Sequence, residues 1–414
     1  MDTRPQLLAP VGSFEALHAA IQAGADAIYF GVEQLNMRTK SVPTITLDDM
    51  AEVAGLCKKN GVRSYLTLNT IVYDHDIVLA QEIVKTCKET GIDAIIASDF
   101  AVFEMCKRYG MPLHISTQAN VSNIEAVSFF AQFADVVVLA RELTLTQVAK
   151  ITQEIKRRKI TGPSGELIKI EVFVHGALCM AVSGKCYLSL HEKNASANRG
   201  ACVQNCRRPY EVIDKETGNV LEIDNEYIMS PKDLCAIDFV DQLIQAGVAV
   251  FKIEGRGKSA DYVYTTTECY KEAIDSVMEG SYTKEKVEVW KEKLASVYNR
   301  GFWEGYFMGK KLGEWTEKHP GSKATEKKVY IARGTKYYPK LEVAEFEIET
   351  GQIKKGDTIM VIGRDTGYDK IQLVSLFVNG QEAENAVKGD KITFKYNKGI
   401  RKNDKLYKVV AEHA

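Results

Sequence analysis

Short, almost continuously apolar runs recur along the first part of the chain, each preceded by a stretch with helical spacing. Residues 6–9 are stopped by Pro10 and Gly12; Ser13 then caps a segment whose Leu17, Ala20 and Ile21 share one face before Gly24 ends it. The runs at 26–31, 91–97, 133–139 and 247–254 are variants of one phrase, and such runs are what parallel strands covered on both faces require. Adding 62–68, 113–116 and 168–174 brings the count to about eight strands separated mostly by helix-length segments. Eight βα units over ~250 residues predict an α/β fold, a closed (β/α)8 TIM-like barrel, with a doubly wound open sheet as the alternative.

The pattern changes after a polar link at 317–323. Strand-and-turn alternation follows, with strands predicted at 329–333, 341–348, 358–362, 373–378 and 391–395 and glycines at 351, 356, 363, 380 and 389. This predicts two domains: residues 1–320 as a TIM-like catalytic barrel with a cysteine-rich insertion at 175–245, and residues 325–414 as a small antiparallel β-barrel.

In a parallel α/β architecture the chemistry sits at the carboxyl ends of the strands. The residues there are polar: Asn36 and Arg38, Asn69, Asp99, then Ser116, Thr117 and Gln118, then Arg141 and Glu142, then His175, and finally Glu254 and Arg256. His175 ends a strand beside the cysteine loop, which makes it a candidate general base or substrate ligand, against a structural role in the turn.

Four cysteines follow His175 in one irregular, glycine-rich excursion: Cys179, Cys186, Cys202 and Cys206, with six, fifteen and three intervening residues. No apolar period exists there to bury them, so they read as metal ligands, with zinc, an iron–sulfur cluster and ordinary buried thiols all open on spacing alone. Residues 230–235 are expected to open a helix with Asp233 in its first turn and to add Cys235 as a fifth candidate, or as a core position beside Leu234, Ile237 and Val240. Cys57, Cys87, Cys106 and Cys269 lie within helical stretches and read as structural.

Composition narrows the class. The chain of 414 residues is 45% hydrophobic with a net charge of −1, as a globular protein is. No run reaches the ~18 apolar residues of a membrane span, and the first residues do not resemble a signal peptide, so a cytoplasmic protein without membrane contact is expected. An odd count of nine cysteines in a reducing compartment argues against a disulfide framework. Residues 322–414 hold 18 Lys and Arg against 13 Asp and Glu, a balance of +5 that leaves −6 on residues 1–321. Lys398, Arg401, Lys402 and Lys405 beside Tyr396 and Tyr407 could grip RNA phosphates, or form a solvated surface. Three sharper motifs fail. Lys252 stands where a phosphate-binding loop ending at Lys258-Ser259 needs its first glycine, Ala195 stands where a zinc-protease helix starting at His191 needs its second histidine, and no G-x-S-x-G elbow exists.

The run Glu171-x-Phe173-x2-Gly176-Ala177-Leu178-Cys179-x4-Gly184-x-Cys186-x-Leu188-Ser189 resembles the signature of the collagenase-like peptidases, family U32. The resemblance extends to residues 8–13, to Ser116-Thr117-Gln118-Ala119-Asn120 and to Lys252-Ile253-Glu254-Gly255-Arg256, and it covers essentially the whole chain. It implies a barrel-like catalytic domain with a small C-terminal β-barrel. Despite the family name it implies a hydroxylation factor for transfer RNA, ribosomal RNA or ubiquinone precursors. The longer members are similar to proteins that convert the wobble uridine of tRNA to 5-hydroxyuridine with prephenate as co-substrate. Some relatives work as pairs, so a paralogous partner subunit or a non-enzymatic scaffold role is also implied, and peptidase activity is the alternative carried by the name. The resemblance further implies a 4Fe-4S cluster on Cys179 and Cys186, with Cys202 favoured over Cys206 as third ligand and Cys235 as a distal fourth. A dicarboxylate such as prephenate needs guanidinium partners. Arg38, Arg141, Arg199 and Arg256 are the candidates by position, with Lys232 as a further cation and Gln118 in the same mouth. Each arginine could instead satisfy a neighbouring acid such as Glu142 or Glu254.

Overall fold

The computed structural model describes residues 4–37, 45–182, 185–193, 196–211, 213–218, 229–309, 314–316 and 321–412. Eight parallel strands close into the expected barrel: β1 Gln6–Pro10, β2 Ala27–Phe30, β3 Arg63–Leu68, β4 Ala94–Ala97, β5 Leu113–Ile115, β6 Val136–Val138, β7 Lys169–Gly176 and, after the short β8 Asp233–Cys235, the closing strand β9 Val250–Ile253. Closure is made by β9, which pairs in parallel with β1 (Leu8 opposite Lys252) and with β7 (Glu171 opposite Val250). The open-sheet alternative is thereby excluded.

Alternation along each strand divides the side chains between two layers. Leu7 and Ala9 join the large core under the helices, whereas Leu8, Tyr29, Tyr65, Ile96 and Val250 fill the barrel interior. The first crossover helix, Phe14–Gln22, starts where Ser13 accepts a hydrogen bond from the Ala16 N–H, as its sequence predicts.

The segment 230–235 departs from expectation. Asp233–Cys235 is a strand, β8, antiparallel to the end of β7 (His175 opposite Cys235) and parallel to β10 Phe302–Trp303. Buried backbone donors and acceptors at the end of β7 need ladder partners, and that requirement overrides the local capping signal of Ser230-Pro231.

Residues from 326 onward form an eight-stranded antiparallel sheet and a two-stranded ribbon. The sheet order is open, with Gly367–Gln372 at one end and Gln381–Glu382 at the other. Five strands lie outside the ranges read from the sequence: the short Gln352–Lys354, Gln381–Glu382 and Asn385–Val387, then Gly367–Gln372, which precedes the predicted 373–378, and Lys405–Ala411, which lies where only a basic cluster was expected. This unit packs on the outer barrel helices Phe14–Gln22 and Ala260–Met278. Ala19, Ala260, Met360 and Tyr368 form the apolar seam, Lys328 pairs with Asp261, and Arg364 meets Glu52 through two bonds of 2.8 Å.

Candidate active site

A cavity of 660 Å³ opens at the carboxyl ends of the barrel strands, within the range of small-molecule sites. Its floor is an ion pair inside the barrel. Lys252 Nζ donates to Glu171 Oε1 at 2.7 Å, with the two side chains 5% and 0% exposed. The ammonium also lies 4.5 Å from the centre of the Tyr29 ring and 5.4 Å from that of Phe173, and the second Glu171 oxygen is buried without a hydrogen-bond partner.

Above the floor, several of the strand-end residues meet at the cavity. Arg141 stacks on Phe173 at 3.7 Å, donates to the Ala177 carbonyl at 2.9 Å and comes within 3.9 Å of Glu254. Arg256 is buried and donates to Thr67 Oγ1 at 2.6 Å and Asn36 Oδ1 at 3.1 Å. A Cβ on Gly31 would fall 2.6 Å from the Arg256 guanidinium, so glycine makes room for it. Gly176, at φ +102°, does the same for the Glu254 carbonyl, which would be 2.5 Å from a Cβ there. Gln118, Ser116, Asn69 and Glu142 complete this side of the lining.

The cysteine loop forms the other side. Cys179, Cys186, Cys202 and Cys206 all line the cavity, and all four thiols are free and at least partly accessible. Burial pushes the Cys206 thiol up, Arg207 pulls it down, and Cys179, Cys202 and Cys186 each raise it, which marks the four as electrostatic neighbours. Among the described residues no three His, Cys, Asp or Glu side chains stand in a metal-holding arrangement. The donor set is that of a thiolate-held zinc or iron–sulfur centre, whereas the arrangement is not a closed cage. Cys235 is not part of the group. It is buried on β8, 3.8 Å from the Tyr270 hydroxyl, with its thiol pushed up to about 11 by burial, and it borders a separate cleft with Phe302 and Trp303.

Three other expectations are corrected by position. His175 does not reach the cavity: it is 1% exposed, packed against Tyr262, Tyr270 and Phe302, and burial holds its imidazole down at about 3, which is the state of a neutral wall residue. Lys232 pairs with Glu314 at 2.9 Å outside the lining. Arg199 grips Asp76 and stacks on Tyr73, which ties the cysteine loop to the loop after β3. Arg38 lies outside the described residues.

The cavity also holds cations that the sequence did not single out: Arg207, Arg300 and Lys258, together with Lys252 and Lys185. With Arg141 and Arg256 they make seven basic side chains against two acidic ones, Glu142 and Glu254, so the cavity favours an anion. No histidine lines it among the described residues. The one available signal was Lys252, a charge in the middle of an apolar strand, which requires a buried partner.

Comparison with known proteins gives a consistent family. The profile of peptidase family U32 matches residues 12–317. A protein of Porphyromonas gingivalis named collagenase is 51% identical over 403 residues, covering 97% of both chains. tRNA hydroxylation protein P1 of Bacillus subtilis is 33% identical over 313 residues, 74% of this chain and 71% of its own. A 23S rRNA 5-hydroxycytidine synthase of Escherichia coli is 36% identical over 277 residues, 67% of this chain and 40% of its own.

Proposed function

The chain belongs to peptidase family U32, and from that premise we propose that it is an RNA-hydroxylating enzyme that forms 5-hydroxyuridine at the wobble position of tRNA. One observation carries the reading: the barrel mouth joins four thiols and an excess of cations in a single cavity that lacks a histidine among its described lining residues. That combination suits an anionic co-substrate beside a sulfur-held centre, and among its described lining residues no histidine is present to serve a nucleophile as base in peptide hydrolysis.

Arg141 and Arg256 offer planar forks for the carboxylates of a co-substrate such as prephenate, with Gln118 and Lys252 at the same end. Cys179, Cys186, Cys202 and Cys206 would hold a 4Fe-4S cluster, or zinc in the alternative; bound there, a cluster supplies one-electron chemistry. At the co-substrate end, Phe173 and Tyr29 cover Arg141 and Lys252, and the Ala177 carbonyl fixes Arg141. A cytoplasmic location follows from an RNA substrate, and among the described residues no helix is long and apolar enough to cross a membrane.

Two observations favour other readings. The collagenase name belongs to a relative at 51% identity, which keeps a peptidase in view, and a ribosomal RNA enzyme is among the relatives, which keeps a cytidine hydroxylation factor in view. Mass spectrometry of nucleosides from a deletion strain separates them. Loss of 5-hydroxyuridine from tRNA supports the proposal, loss of 5-hydroxycytidine from 23S rRNA moves the substrate, and an unchanged profile with gelatin cleavage by the pure protein returns the peptidase.

A further inference from the structure

We propose that Arg300, Arg207 and Lys258 form a phosphoryl subsite in the cavity, separate from the Arg141–Arg256 end, which holds the phosphate of the nucleotide whose base is modified. The three come from distant parts of the chain and meet around Tyr298. Lys258 Nζ lies 2.9 Å from the centre of that ring, the Arg300 guanidinium lies 5.0 Å from it, and both Arg300 and Arg207 pull the Tyr298 hydroxyl down against the upward push of burial. All four residues line the cavity.

The two arginines at this end are under-compensated. Arg300 is 6% exposed, its contact with Asp233 is a loose 3.4 Å, and its Nε is buried without a hydrogen-bond partner. Arg207 donates to Ser230 Oγ at 3.0 Å and to the Pro231 and Leu178 carbonyls at 2.8 and 2.5 Å, all neutral acceptors. Two buried guanidinium groups therefore lie at this end with one carboxylate contact between them among the described residues, the loose one from Arg300 to Asp233. Holding two buried like charges with one acid costs free energy that a bound dianion would offset. A phosphate suits such a site, since Arg offers it a planar fork and Lys a point charge.

The nucleotide assignment comes from what stands on the same cavity. Tyr187, 80% exposed, lines it from the cysteine loop, with Met180 and Val182 exposed beside it. An aromatic face next to a cationic pocket is the arrangement on which an unstacked base rests while its phosphate is held. This inference rests on the RNA-modification reading, but its test reads binding, so the two fail separately: altered nucleoside profiles speak to the reaction, mononucleotide affinity to the subsite.

The test is calorimetric titration of the full-length, anaerobically purified protein with uridine 5′-monophosphate, uridine and inorganic phosphate. The expected result is at least tenfold tighter binding of the monophosphate than of uridine. Arg300→Gln and Lys258→Gln should each abolish that advantage and leave the affinity for uridine unchanged. Lys258 is half-buried, so its variant keeps the test open if Arg300→Gln fails to fold beside Asp233. Equal affinity of the wild type for nucleoside and nucleotide, or an unchanged advantage in the Lys258 variant, would overturn the subsite. Inorganic phosphate binding as tightly as the nucleotide would overturn the nucleotide assignment in favour of a free-phosphate site.

Discussion

Arg199 holds Asp76 with both arms of its guanidinium, at 2.5 and 3.1 Å, and thereby fastens the cysteine loop to the loop after β3. The same Arg199 donates to the Ile71 carbonyl at 2.7 Å, and the Ile71 N–H donates to the Asn198 carbonyl at 3.1 Å. The thiols are thus positioned by a strap on the outside of the cavity.

Cutting that strap should loosen the loop. Arg199→Ala is expected to cost about 2 kcal/mol and to speed proteolytic cleavage within 177–211, while Arg199→Lys, which keeps the charge and loses the fork, falls between. Hydrogen bonding to Arg199 holds the Asp76 carboxyl below its usual value, so its contribution is complete above the ordinary carboxylate pKa and is lost as pH falls through the depressed one. Limited proteolysis across the acid range measures both effects.

The pair on the barrel floor behaves differently because it is almost fully buried. Glu171→Gln leaves the Lys252 ammonium buried without its counter-charge and should destabilise the barrel by about 3–5 kcal/mol. The double change Glu171→Leu with Lys252→Met should recover much of that stability but not substrate binding. Urea unfolding of the single and double variants checks it.

Two buried histidines make the fold acid-sensitive. His114 and His175 are both held near pKa 3 by burial, from an ordinary 6.5. The unfolded chain therefore binds protons that the folded chain refuses, so stability is full above pH 6.5 and falls as pH drops from there toward 3, by up to about 1.4 kcal/mol per pH unit for each histidine. His175→Phe should flatten the pH dependence of the thermal midpoint across that window.

The C-terminal unit enters the RNA reading through fewer residues than its sequence suggests. Tyr396 is buried, Lys398 is paired with Asp369 at 2.6 Å and Arg401 lies 3.5 Å from Asp365, whereas Lys402 and Lys405 are exposed. The double change of Lys402 and Lys405 to Ala should weaken tRNA binding several-fold and lower the salt slope by about 2. Unchanged affinity and slope would remove this surface from RNA recognition.

The barrel was legible because its strands are apolar on both faces, and the strand-end rule found Arg141, Glu254, Arg256 and Gln118 for the same reason. What escaped has physical causes. Asp233–Cys235 is too short to carry a period, and Ser230-Pro231 mimics a helix start. The last strand is studded with lysines because one of its faces is solvated. Arg207, Arg300 and Lys258 are separated by long stretches of chain and meet only through the fold. Cys206 lines the cavity and Cys235 does not, because β8 turns the Cys235 thiol into the wall beside Tyr270.

The central claim is that the four loop thiols together hold one metal centre at the mouth of the barrel. Iron and sulfide analysis with electron paramagnetic resonance, on protein purified without oxygen, tests it in five single Cys→Ala variants. The account predicts about four iron and four sulfide per chain in the wild type, retained when Cys235 is replaced and lost when Cys179, Cys186, Cys202 or Cys206 is. Full iron and sulfide in the Cys179 and Cys186 variants, or loss on replacing Cys235 with retention at Cys206, would contradict it.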